Sequence, residues 1–261
     1  MDNEFLQRLE KWFTSYCRSF SGDDAEAQKN YALKELHTRK VRENMKALAL
    51  SLGLADGRLA IAEAIGLLHD VGRFEQFRRF RTFLDRESVN HAALGVEVIR
   101  EHQLLAGLAE VDAATIIHAV RLHNVFAVPP GLTDDQRLFL NLIRDADKLD
   151  IWRVFVEYFA LPEDERPSAA GLGFHDEPRC SPMVLASLVS EEMVNLTMVN
   201  TLNDFKLLQL SWVFDLNFPH SSVLAAEQGN LARLAETLPR SPELDKALDA
   251  VWQRLAALRA G

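Results

Sequence analysis

Apolar side chains recur at three- and four-residue steps along nearly the whole chain: Phe5, Leu6, Leu9, Trp12 and Phe13 begin it, and Leu94, Val98 and Ile99 repeat the pattern. That spacing gathers them onto one stripe of an α-helix, while strand-like alternation is almost absent. Breakers divide the pattern into helices of roughly 10 to 25 residues. The predicted stops are Gly22, Gly53 to Gly57, Gly72, Gly107 and the Pro129-Pro130-Gly131 loop. Thr133-Asp134-Asp135-Gln136 has the form of a capping box and predicts a long helix through "LFLNLIRDADKLDIWRVFVEYF". A polar loop with Pro and Gly follows at residues 161–182, then helical segments to the C-terminus. The predicted fold class is all-α.

Composition narrows the partners. The chain has 261 residues, of which 48% are hydrophobic, enough for a sizeable core, and a net charge of -9. No basic stripe is available for wrapping nucleic acid, so dedicated nucleic-acid binding is not expected, whereas a local cluster of cations in one cleft still suits a small anionic substrate. Cys17 and Cys180 are the two cysteines, too few for a disulfide framework or a four-cysteine zinc site, and they point to a reducing compartment. "MDNEFLQRLEKWF" lacks the basic start and apolar centre of a signal peptide, and the greasiest stretch, residues 47–68, is interrupted by Asp56, Arg58 and Glu63. A cytoplasmic protein without membrane attachment is expected. In "RFEQFRRFRTF" the phenylalanines Phe74, Phe77, Phe80 and Phe83 recur every three residues, which predicts one packed helix face with the arginines outside.

The candidate chemistry lies in the histidines. Six of eight, His37, His69, His91, His102, His118 and His123, fall in the first half. The segments "LKELHTRKV", "LLHDVGR", "SVNHAALGVEVI", "IIHAVRLHN" and "IRDADKLDIW" each place imidazole or carboxylate among apolar neighbours. One unpaired buried group of this kind costs on the order of a few kcal/mol, so several on core-facing helices call for a shared partner. A divalent cation fits, and imidazole with carboxylate but no thiolate suits Fe, Mn, Zn, Co or Ni.

The order His37, then His69-Asp70, then a distant Asp in "RDADKLD" resembles the HD-domain metal-dependent phosphohydrolase superfamily. The resemblance spans roughly residues 30–158 and rests most on "HDVGR" and "RDADKLD". It implies a multi-helix HD-domain bundle, expected over residues 1–160; residues 161–261, outside the resemblance, are expected to add a loop and C-terminal helices that pack on the same core. It implies too that His37, His69, Asp70 and Asp147 hold one ion, with Asp70 able to bridge to a second. His91 and His123 match the two further histidines of the binuclear branches. Helix geometry, about 100° per residue, chooses among neighbours. His118 and His123 lie about 140° apart and cannot share one small site; His123, at a helix end, is the expected ligand, and His118 is expected to be a core histidine with a backbone hydrogen bond. Asp150 lies about 60° from Asp147, on its side of the helix, and Asp145 about 200° away.

The expected cofactor is a pair of divalent ions, Fe or Mn first, with Zn, Ni, Co or Mg as substitutes. The expected reaction is attack of a metal-activated water on a nucleotide or another small phosphorylated substrate. Asp70, Arg73 and Lys148 are the expected catalytic residues, and Arg73, Lys148 and Asn124 the expected substrate contacts, with Gly72 turning the backbone to swing Arg73 towards the anion. An oligomer is compatible with the sequence. The rival reading is an HD-type diiron oxygenase acting on a small polar substrate, since the same ligands serve both chemistries.

Overall fold

The computed structural model describes residues 3–171 and 173–260. Its first helices are α1 (Asn3–Arg18), α2 (Ala25–Ser51), α3 (Asp56–Leu68), α4 (Gly72–Phe80), α5 (His91–Glu101), α6 (Glu110–Leu122) and α7 (Asp134–Ala160). After these come α8 (Pro182–Val189), α9 (Leu202–Ser211), α10 (Pro219–Gln228), α11 (Asn230–Glu236) and α12 (Pro242–Ala260). The fold is all-α: among the described residues there is no strand, only an isolated bridge between His175 and Thr201. None of the described helices is long and apolar enough to cross a membrane. Two compact units are distinguished, Met1–Asp150 with Leu161–Gly171, and Ile151–Ala160 with Leu172–Gly261, so the boundary falls inside α7.

In the first unit the helix ends obey local chemistry. Asp24 caps α2 by accepting from Ala27 N at 2.9 Å, and both bonds of the predicted capping box form before α7. Gln136 N donates to Thr133 Oγ1 at 3.2 Å, and Thr133 N donates to Gln136 Oε1 at 3.1 Å. An aromatic cluster supports the junction of α3 and α4: Phe74 meets Phe13, Tyr16, Phe20 and Tyr31. Tyr16 Oη donates to the carbonyl of Val71 at 3.2 Å, tying α1 to that junction. The phenylalanine stripe is shorter than predicted. Phe74 and Phe77 are buried and Phe80 is exposed, because Arg81 adopts a left-handed conformation, φ 58°, and ends α4.

Gly72 has a different role from the one its sequence context predicts. The backbone there does not enter the left-handed region, and Val71 before it is right-handed helical. A Cβ at Gly72 would instead lie 2.2 Å from His91 O and 2.5 Å from Gly95 N. The glycine lets α4 and the start of α5 touch backbone to backbone, which carries His91 up to His69-Asp70. Gly66 does the same for α3 and α2, its Cβ position lying 2.8 Å from Arg42 Cα.

In the second unit, α9 is buried at every position from Asn203 to Ser211. Thr201 and Asp204 close a capping box at its start, Trp152 Nε1 donates to Gln209 O at 3.0 Å, and Phe155 packs edge-on to Phe205. The stretch "NDFKLLQL" is packing material.

These contacts predict opposite outcomes for two neighbouring glycines. Gly72→Ala is expected to lose about 1–3 kcal/mol of unfolding free energy from overpacking. Gly95→Ala, whose Cβ would meet nothing nearer than 3.5 Å, is expected to be neutral or to gain up to about 1 kcal/mol of helix propensity. Urea unfolding decides, and a Gly72→Ala variant as stable as the parent contradicts the close-approach account.

Candidate metal centre

Five helices of the first unit deliver their polar residues to one place. α3 ends at Leu68, so His69 is its C-cap and Asp70 follows in the turn to α4. His91 is the first residue of α5, and His123 is the C-cap of α6. His37 and Asp147 project from the middles of α2 and α7. The residues expected as ligands from the sequence therefore meet, and they form two sets, His37-His69-Asp70 and Asp70-His91-His123, whose ligand atoms lie within 4.8 Å of one another. Asp147 joins the first set, with Oδ1 3.1 Å from His37 Nε2 and 3.7 Å from His69 Nε2.

Asp70 is shared between the sets, one oxygen to each. Oδ2 lies 3.6 Å from His37 Nε2 and 3.9 Å from His69 Nε2, while Oδ1 lies 3.4 Å from His91 Nε2 and 3.9 Å from His123 Nε2. Within each set the imidazoles face each other through Nε2, His37 and His69 at 3.3 Å, His91 and His123 at 3.0 Å. Two ligands at right angles on an ion at about 2.1 Å are about 3 Å apart, so this spacing is compatible with a shared cation.

The opposite ring nitrogens fix the tautomers. His69 Nδ1 lies 2.8 Å from Gly66 O and His123 Nδ1 2.8 Å from Val120 O; His37 Nδ1 lies 2.7 Å from Asp150 Oδ2, and His91 Nδ1 2.8 Å from Asp85 Oδ2. Every one of these partners can only accept, so each Nδ1 carries a proton, and in a neutral ring the Nε2 then turns its lone pair inward. His37, His69, His91 and His123 are all buried. Burial pushes the His91 and His123 imidazoles down to about 4, helped by the Arg73 cation in the first case and His69 in the second; burial lowers His69 as well. These rings do not protonate near neutral pH, and their facing lone pairs repel unless a cation lies between them. His37 behaves otherwise: burial works against its charge, but the carboxylates of Asp147 and Asp150 raise it to about 9, so that a proton there stands in for a cation. Asp147 Oδ1 is buried and accepts no well-aligned hydrogen bond despite its 3.1 Å approach to His37. An orphaned carboxylate oxygen beside converging imidazole lone pairs fits a divalent metal.

Around this core the structure adds residues that the sequence did not single out. Lys34, three positions before His37 and so on its side of α2, donates to Asp70 Oδ2 at 2.8 Å. Against burial, which would raise it, Lys34, His69 and Arg73 hold the Asp70 carboxyl well below the usual range. Asp85, in the short turn before α5, accepts from His91 Nδ1, Arg73 Nη1, Gln76 Nε2 and Asn124 Nδ2. The one sequence signal for it is a carboxylate six residues before a candidate ligand.

The residues expected to act on the substrate lie around this cluster. Arg73 divides between the cluster and its surroundings: its Nε lies 3.5 Å from Asp70 Oδ1, while its Nη1 donates to Gln76 Oε1 at 2.8 Å, Asp85 Oδ1 at 3.0 Å and Phe83 O at 2.5 Å. Asn124 meets Asp85 at 3.3 Å, and Lys148, next to Asp147 on α7, is buried. His118 stays outside both sets, but without the expected backbone bond, since its Nδ1 is buried and unpartnered.

The titration directions give a signed prediction for protein stripped of metal. His91 and His123, lowered from about 6.5 to about 4, contribute stability that is present above pH 6.5 and lost as pH falls through 4. His37, raised from 6.5 to about 9, contributes stability present below pH 6.5 and lost as pH rises through 9. The thermal midpoint of chelator-treated protein should therefore fall on both sides of about pH 6.5. His37→Gln should remove the alkaline loss; its persistence in that variant refutes the His37 assignment.

Neither a curated protein nor a solved structure matches the chain. The model of one family does, described as HD domain, over residues 36–152, from the residue before His37 to the second residue beyond Asp150. With the His/Asp cluster assembled inside that span, residues 36–152, running from α2 into α7, carry an HD domain, of a family whose members are generally metal-dependent hydrolases.

Proposed function

We propose that this chain is a binuclear phosphohydrolase that cleaves a phosphoester of a small phosphorylated substrate, nucleotides included, with a metal-activated water. The observation that carries the reading is Asp70, one carboxylate oxygen facing His37 and His69 and the other facing His91 and His123. In this reading His37, His69, Asp70 and Asp147 hold one divalent ion, and Asp70, His91 and His123 a second. Bound ions supply Lewis acidity towards a phosphoryl oxygen and a nucleophilic water at neutral pH.

The chain's own residues do the rest. Neutral His69, His91 and His123 offer lone pairs without needing to lose protons. Asp147 is the most open of the six ligand candidates, its side chain 18% exposed against 4% or less for the imidazoles and Asp70, so substrate approaches from its side. Lys34 and Arg73, 16% and 15% exposed, place positive charge beside the shared carboxylate of Asp70, at 2.8 Å from Oδ2 and 3.5 Å from Oδ1. Lys34 is the mobile one of the two, a flexible ammonium able to exchange Asp70 for a phosphate oxygen, whereas Arg73 is held by its three acceptors. Lys148 and Asn124 complete the proposed substrate contacts.

Fe or Mn is the metal of choice for this ligand set, and Zn, Ni, Co or Mg the substitutes. The test is a panel of phosphoesters and nucleotides assayed on metal-loaded protein. His69→Ala and Asp70→Ala should each abolish turnover and lower bound metal. Lys34→Ala should keep its metal and lose about 10- to 100-fold in kcat/KM, the worth of one charge-assisted contact to an anion. Fully loaded protein that turns over no phosphoester, or that consumes O₂ with its substrate, overturns the reading.

A further inference from the structure

The two halves of the centre are built unequally. Around His37 and His69 there are two direct carboxylates, Asp70 and Asp147, and a third, Asp150, bonded to His37 Nδ1 at 2.7 Å. Around His91 and His123 the direct carboxylate among the described residues is Asp70, already shared. The outer support there comes from a carbonyl, Val120 O, on His123 and from Asp85 on His91. Asp85 is moreover divided: Arg73 Nη1 takes Oδ1 at 3.0 Å, Gln76 Nε2 takes it at 2.9 Å, and Asn124 Nδ2 takes Oδ2 at 3.3 Å. It also accepts from the backbone N of His91 at 3.4 Å. This one side chain thus joins α4, the first residue of α5 and the residue after His123.

A carboxylate on the far nitrogen of a ligating imidazole fixes the ring's tautomer and orientation and raises the basicity of the ligating nitrogen. A cation competing for the same carboxylate weakens that effect. We propose that Asp85 is the positioning residue that sets occupancy of the second metal position, and that this position, tempered by Arg73, is the weaker and exchangeable one of the two. The proposal rests on the binuclear reading given above. Asp85 touches neither ion nor substrate; it acts through His91. The Arg73-Gln76-Asp85 clamp is then a device that lets one position fill first and the other fill only while residues 83–91 keep their fold.

The experiment is a stepwise titration of chelator-treated full-length chain with Mn²⁺, read by equilibrium dialysis and by the electron paramagnetic resonance of free and bound ion. Wild-type protein should bind two ions in two resolved steps. Asp85→Asn should leave the first step unchanged and weaken the second by about 10- to 100-fold, the usual effect of losing such a partner. Asp85→Glu should recover part of that loss, which a purely structural role would not give. Asp150→Asn, the mirror variant, should weaken the first step. Circular dichroism shows whether each variant is folded; if Asp85→Asn is not, Asp85→Glu alone decides, by a second step weaker than wild type with the first intact. Two wild-type steps in Asp85→Asn, or loss of both ions from a folded variant, overturn the proposal. A single ion in the wild-type chain instead removes the binuclear reading, a distinct result visible before any variant is made.

Discussion

Imidazole nitrogens that turn lone pairs towards one another inside a protein repel, and here two pairs of imidazoles converge on either side of one aspartate, His91 and His123 with no proton between them. The Nε2 atoms of His91 and His123 are 3.0 Å apart, those of His37 and His69 3.3 Å. The ordinary remedy, a proton, is open to His37, which has carboxylates at Asp147 and Asp150, and closed to the other three by burial. Positive charge from elsewhere is what the arrangement requires, and the cation of Lys34 on Asp70 answers only part of it. The remaining structure of the first unit serves to maintain this unfavourable convergence.

Maintenance comes from backbone placement more than from side-chain reach. Two of the imidazoles, His69 and His123, cap helix ends and return their Nδ1 protons to carbonyls of their own last turns, Gly66 O and Val120 O. Each ring is thereby fixed by its own helix. His91 has no such anchor, because it begins its helix, and it borrows one from Asp85 across the turn. The missing Cβ at Gly72 brings that helix start against the His69-Asp70 turn, and the aromatic cluster around Phe74, with Tyr16 bonded to Val71 O, holds the turn from behind.

Much of this was legible in the chain. Apolar periodicity marked the helices, the Thr133 capping box marked the start of α7, and the ordered His37, His69-Asp70, His91, His123 and Asp147 pointed to one centre. Rotation about α6 and α7 separated His123 from His118 and put Asp150 beside Asp147, where its carboxylate meets His37. What was not legible depends on contacts between elements distant in sequence or on single backbone conformations. Lys34 pairs with a residue 36 positions away, and the employment of Arg73 by Phe83 O and Asp85 depends on a turn that begins where Arg81 goes left-handed. Gly72 was marked correctly as special but for the wrong cause, since a close approach and a sharp turn leave the same glycine in a sequence.

The central claim is that Asp70 bridges two cations, each completed by one pair of imidazoles. Anomalous diffraction from crystals soaked in Mn²⁺ tests it most directly. The account predicts two peaks sharing Asp70, one within ligand distance of His37, His69 and Asp147 and the other within ligand distance of His91 and His123. One peak, with His91 and His123 left bonded to each other and outside ligand distance, would contradict it.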